Sequence, residues 1–143
     1  MGAAPKVVLD TNVIISALGW NGLERRVYEL CMRGQIELCL CPAILEELLR
    51  VLEYPKFKFP RSHKAALVQD LLRIATLSEP DTAPDIVKED PADNHLLACA
   101  TAAQAQFLLT GDQHLLQLSR YGSTTICTAA VFLKSRTGLT PCT

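Results

Sequence analysis

The chain has 143 residues, 49% of them hydrophobic and 20% charged, with a formal net charge of −1. That suits one globular domain over 1–143 that buries about two thirds of the surface exposed when unfolded, and it argues against disorder. No apolar run approaches the ~20 residues that span a bilayer, and residues 1–6 are too short for a signal peptide, so a cytoplasmic protein without a membrane partner is expected.

In chain order, Val7–Leu9 reads as a buried strand ended by the polar residues Asp10, Thr11 and Asn12. Asn21-Gly22 breaks the pattern. Leu23–Arg33 then reads as an amphipathic helix, with Gly34 as the glycine that stops it. Ile36–Cys41 is a second strand, and Pro42 is well placed at the first turn of a helix to about Leu52. Tyr54–Pro60 is a proline-bounded loop, Ser62 is suited to cap a helix to about Ala75, and Thr76–Glu79 reads as a short edge strand. After an acidic loop over Pro80–Asp90, helices are expected at Ala92–Gln104, Asp112–Leu118 and Ala129–Arg136. Strands are expected at Phe107–Thr110 and Thr124–Cys127. Strands alternating with helices imply right-handed crossovers and a parallel sheet.

In such sheets ligands sit beyond the carboxyl ends of the strands. Asp10 and Asp112 each follow a strand, Glu47 lies in the helix after the second strand, and Asp93 lies in the first turn of a later helix. Four carboxylates are thereby aimed at one edge. Two like charges ~4 Å apart repel by about 4 kcal/mol at an effective dielectric near 20, so such a cluster needs protons or a cation. Oxygen ligands favour a hard ion, Mg²⁺ or Mn²⁺, of the kind that polarises phosphates. Thr11, Asn12 and Thr110 are placed to orient carboxylates from behind. Each acid also has an ordinary reading: Asp10, Asp90, Asp93 and Asp112 as helix caps, Glu46-Glu47 as a solvated pair. The weight lies in the coincidence of four.

Charge is sorted along the chain. Residues 50–64 carry Arg50, Lys56, Lys58, Arg61 and Lys64 against Glu53, while 79–93 carry six acids against Lys88. Tyr54, Phe57 and Phe59 interleave with Lys56, Lys58 and Arg61, a mixture that suits unpaired nucleotides, and Arg25 and Arg26 extend the patch. The same rings serve equally to pin a helical hairpin to the core. The six cysteines (Cys31, Cys39, Cys41, Cys99, Cys127 and Cys142) form no C-x-x-C pair and read as reduced core residues.

The strings V-V-L-D-T-N-V at 7–13, P-A-I-L-E-E-L at 42–48, D-P-A-D-N at 90–94 and L-T-G-D at 109–112 resemble the PIN-domain ribonucleases, with a match running to V-F-L at 131–133. The resemblance is closest to the toxin component of prokaryotic toxin–antitoxin pairs. It implies a three-layer α/β/α sandwich around a parallel sheet and Mg²⁺- or Mn²⁺-dependent hydrolysis of RNA to 5′-phosphate and 3′-hydroxyl ends. It also implies an antitoxin partner and a homodimer. It points to Asp10, Glu47, Asp93 and Asp112 as the acidic, metal-holding set, with Asp90 in support. Where many relatives have a further acid after T-G-D, this chain has Gln113-His114, which leaves a fifth ligand in question. The rivals fit less well. A haloacid dehalogenase-type phosphatase needs an acid where Asn12 stands, and a dinucleotide-binding domain needs G-x-G-x-x-G, which is absent. A receiver domain does not place its Glu in the helix after the second strand. A catalytically silent interaction module on the same fold would typically have lost one of the four acids.

Overall fold

A computed structural model describes residues 4–19, 22–54, 60–80 and 91–139. Among the described residues, six strands form one sheet: β1 (Lys6–Leu9), β2 (Glu37–Leu40), β3 (Thr76–Leu77), β4 (Phe107–Leu109), β5 (Arg120–Tyr121) and β6 (Thr124–Cys127). Their order is β3-β2-β1-β4-β6-β5, and every pairing is parallel except β5 with β6. Seven helices among the same residues flank the sheet in a three-layer α/β/α sandwich: α1 (Thr11–Gly19), α2 (Leu23–Met32), α3 (Pro42–Leu52), α4 (Arg61–Ile74), α5 (Pro91–Ala103), α6 (Gln113–Leu118) and α7 (Ala129–Leu139).

The central strands β1, β2 and β4 are short apolar runs buried on both faces, as parallel strands covered by helices must be, while the edge strands β3 and β5 are more exposed. Val7, Val8, Leu9, Leu38, Leu108 and Leu109 are all fully buried. Helix α3 starts with Pro42 at its first position and buries Ile44, Leu48 and Leu52, a stripe at four-residue spacing. After α2, Gly34 takes a φ of +76° and donates its N–H to the Cys31 carbonyl; the left-handed turn ends the helix where a side chain would be strained. Phe107 meets Phe132 of α7 edge-on, with ring centroids 5.0 Å apart. The five cysteines among the described residues are free and buried; Cys142 lies outside them.

Three local expectations change. Ser62 does not cap α4. The N-cap is Pro60, whose carbonyl accepts from His63 and Lys64, and this puts Ser62 inside the first turn. Residues 11–19, unassigned from sequence, form α1, because Val13, Ile14, Ile15 and Ala17 are all buried and blur any helical period. Strand β5 is new. Two residues pair antiparallel with β6 across a turn in which Gly122 has φ +60°, and so short a polar segment carries no pattern of its own.

The central strands set the stability. Replacing fully buried Leu108 with Ala leaves a cavity in the middle strand and is expected to cost about 2–5 kcal/mol, read as a lower urea midpoint at unchanged slope.

Candidate active site

From β1 the chain builds outward through β2 to β3, then returns to place β4 on the other side of β1. The order in which strands are added therefore reverses between the parallel neighbours β1 and β4, and the crevice beyond their carboxyl ends is where open α/β sheets bind ligands. Register brings Leu9 opposite Leu109, and the Asp10 N–H donates to the Leu109 carbonyl at 3.0 Å. Asp10 and Thr110, 100 residues apart in sequence, thus become neighbours.

The Thr110 hydroxyl donates to Asp10 Oδ2 at 2.7 Å and accepts the Asp112 N–H at 3.0 Å. Asp10 and Thr110 are both buried. The Asp10 carboxylate also accepts the backbone N–H groups of Thr11 and Asn12, and its carbonyl receives the first helical bonds of α1 from Val13 and Ile14. Burial pushes the Asp10 pKa up. The Thr110 and backbone donors pull against it, the negative Asp112 adds to it, and the net direction is upward. The cap and the strand-end acid foreseen as alternatives for Asp10 are the same residue in both roles.

Asp112 is the N-cap of α6, its Oδ1 accepting the His114 N–H at 2.8 Å. The His114 Nδ1 lies 3.6 Å from that oxygen, too far for a hydrogen bond. Asp93 reaches the same place from the first turn of α5, whose first residue is Pro91. Asp93 is 4% exposed, and its Oδ2 atom is buried without a hydrogen-bond donor among the described residues. One donor atom from each of Asp93, Asp112 and His114 lies within 4.8 Å of the other two. Two carboxylates and an imidazole, with Asp10 close enough to Asp112 to be perturbed by its charge, are a donor set that fits a divalent cation.

Glu47 is half-buried on α3, a helix that packs against both α1 and α5, and it stands outside the group formed by Asp93, Asp112 and His114. Thr11 is buried at the head of α1, whereas Asn12 is exposed. Asp90, Lys56 and Lys58 lie outside the described residues. Arg26 and Arg61 are exposed. Arg25 pairs with Glu29 at 3.6 Å and lines a cavity of about 300 Å³ between α2, α3 and α4, beside Tyr28, Leu52, Lys64 and Leu67. His114, which the sequence presented only as standing with Gln113 where relatives have a further acid, is brought beside Asp93 and Asp112. The available signal was its spacing, two residues past an N-cap acid.

Residues 6–114 match the family model for the PIN domain. Protein MJ1680 of Methanocaldococcus jannaschii is 29% identical over 117 residues, which are 79% of this chain and 74% of that one. Two solved structures share the fold. VapBC2 from Rickettsia felis, bound to a DNA fragment from its promoter, gives a TM-score of 0.60 at 16% identity over 85% of this chain and 96% of that one. PAE2754 from Pyrobaculum aerophilum gives 0.57 at 14% identity over 94% and 92%.

The upward-shifted Asp10 carries a pH signature. Below the ordinary value of 3.8 the group is protonated in both folded and unfolded chains and costs nothing. As pH rises through the raised folded value, the wild type loses stability. In chelator, Asp10→Asn is therefore expected to be more stable than wild type at pH 7, with the gap closing toward pH 3.5 in paired denaturation series. A gap independent of pH would contradict the burial argument.

Proposed function

The chain belongs to the PIN-domain family, and from that premise we propose that it is a divalent-metal-dependent endoribonuclease acting as the toxin of a toxin–antitoxin pair. The observation that carries this reading is the meeting of Asp93, Asp112 and His114 donor atoms within 4.8 Å at the edge where Asp10 also ends its strand. Capping explains why Asp10 and Asp112 each stand at a helix start, but not why Asp93 of α5 comes within 4.8 Å of Asp112. Their mutual repulsion is a standing cost unless positive charge joins them.

In this reading Asp93 and Asp112 would hold the cation, with Asp10, oriented by Thr110, and Glu47 of α3 completing the acidic set. When bound, Mg²⁺ or Mn²⁺ supplies Lewis acidity toward a phosphate and toward the attacking water. The protein's own part is to fix the carboxylates, to place a phosphodiester in the crevice and to take up a proton on a free carboxylate oxygen. Gly111, with open space where a Cβ would stand, leaves room for backbone and phosphate to approach. Arg25, Arg26, Lys56, Lys58 and Arg61 serve as phosphate contacts for RNA along its path. Thr11, Asn12, Asp90 and Thr110 support the acids. An antitoxin and a second copy of the chain complete the proposed assembly, and among the described residues no helix is long and apolar enough to cross a membrane.

Two experiments test the proposal. Purified protein should cleave single-stranded RNA in Mn²⁺ or Mg²⁺, leave 5′-phosphate ends and stop in EDTA. Asp10→Asn, Asp93→Asn and Asp112→Asn should each lower the rate more than about 100-fold, beyond the 10–100-fold typical of residues one layer out. Undiminished cleavage by Asp112→Asn would remove the assignment, and metal-independent cleavage would remove the mechanism. For substrate holding, Lys56→Gln with Lys58→Gln should make the slope of log affinity against log salt shallower by about 1.4, since each single-strand phosphate contact contributes about 0.7.

A further inference from the structure

Among the described residues, the group able to share an ion includes an imidazole as well as carboxylates. The main chain of His114 is fixed at the head of α6, where its N–H donates to Asp112 Oδ1 at 2.8 Å, and the ring lies beside the same acid. The ring nitrogen nearest that oxygen, Nδ1, is 3.6 Å away, outside hydrogen-bond range. The side chain is half exposed, so the ring has room to turn. Donors sharing one ion through bonds of about 2.0–2.2 Å lie at most about 4.4 Å apart. A group already within 4.8 Å needs a closure of roughly half an ångström, within reach of a half-exposed ring and a carboxylate at a helix cap.

Resting on the metal-site reading above, we propose that His114 supplies a nitrogen ligand to the cation held by Asp93 and Asp112, and that this chain consequently takes Mn²⁺ in preference to Mg²⁺. The chemical ground is ligand softness. Mg²⁺ is bound through oxygen and gives up its waters reluctantly; Mn²⁺ shares its taste for carboxylates but, as the first member of the transition-ion affinity series for nitrogen and oxygen sites, tolerates an imidazole in place of a water. An all-carboxylate site discriminates little between the two; a site with one imidazole favours the softer ion.

The probe is Mn²⁺ itself, and the readouts are spectroscopic and thermodynamic rather than catalytic. Electron spin-echo envelope modulation on the Mn²⁺-loaded wild type should show a directly bonded ¹⁴N, and His114→Gln should abolish it. Loss of the free Mn²⁺ signal on titration should report affinity, weakened about tenfold or more in His114→Gln, while Mg²⁺ affinity, measured by competition, changes less than threefold. Circular dichroism melts establish that the variants fold. If wild type shows no ¹⁴N coupling, or His114→Gln binds Mn²⁺ as tightly as wild type while Asp112→Asn does not, the His114 inference fails and the acidic site stands. If wild type and Asp112→Asn bind Mn²⁺ equally, or neither binds it, the site reading and the inference fall together.

Discussion

One hydroxyl ties the two halves of the crevice together. Thr110 Oγ1 gives its proton to Asp10 and takes one from the Asp112 backbone, so a single buried oxygen registers the end of β1 against the start of the β4–α6 turn. A hydrogen bond to a charged group contributes about 1.5–3 kcal/mol, and leaving such a group without its donor costs a similar amount. The position demands a small side chain with both a donor and an acceptor, which threonine supplies. Everything at the sheet edge is arranged around that link: the carboxylate orientation of Asp10, the cap of α6 and the lie of His114 on its first turn.

Around the link, the site is maintained by unfavourable electrostatics held in check. Asp10 is buried and lies in the field of Asp112, and both effects oppose its ionisation. The opposing donors are backbone N–H groups at the head of α1 and the Thr110 hydroxyl, all fixed by secondary structure. The same economy appears at Asp112, which serves α6 as its cap while facing Asp93. Asp10 and Asp112 are thus both held by backbone N–H groups at helix starts, with the Thr110 hydroxyl adding a side-chain donor to Asp10. On the function proposed above, a cation would complement the charge gathered there.

Much of this was legible in the sequence. Four of the five parallel strands, β1, β2, β4 and β6, announce themselves as short apolar runs, and the rule that parallel sheets present ligands at their carboxyl ends was enough to bring Asp10 and Asp112 to one edge. Asp93 was legible as a first-turn acid after a proline. What failed did so for local physical reasons. α1 is apolar on nearly every face and carries no period, β5 is two residues long, and Pro60 takes the capping position that Ser62 suggested by type. The place of Glu47 relative to the other acids depends on how α3 packs against α1 and α5, which no string of residues encodes. The basic stretch and the acidic loop fall largely on residues 55–59 and 81–90, outside the described parts of the chain.

The partners in the Asp10–Thr110 hydrogen bond stand 100 positions apart, with three strands and five helices of the described residues threaded between them. Ribosomes deliver the amino-terminal part first, and contacts between distant segments form only after their intervening loop has closed. An unfinished polypeptide emerging from the exit tunnel therefore holds Asp10 without its later companions. Whatever chemistry the crevice performs is withheld until translation has passed the fourth strand, a built-in delay between making the molecule and arming it.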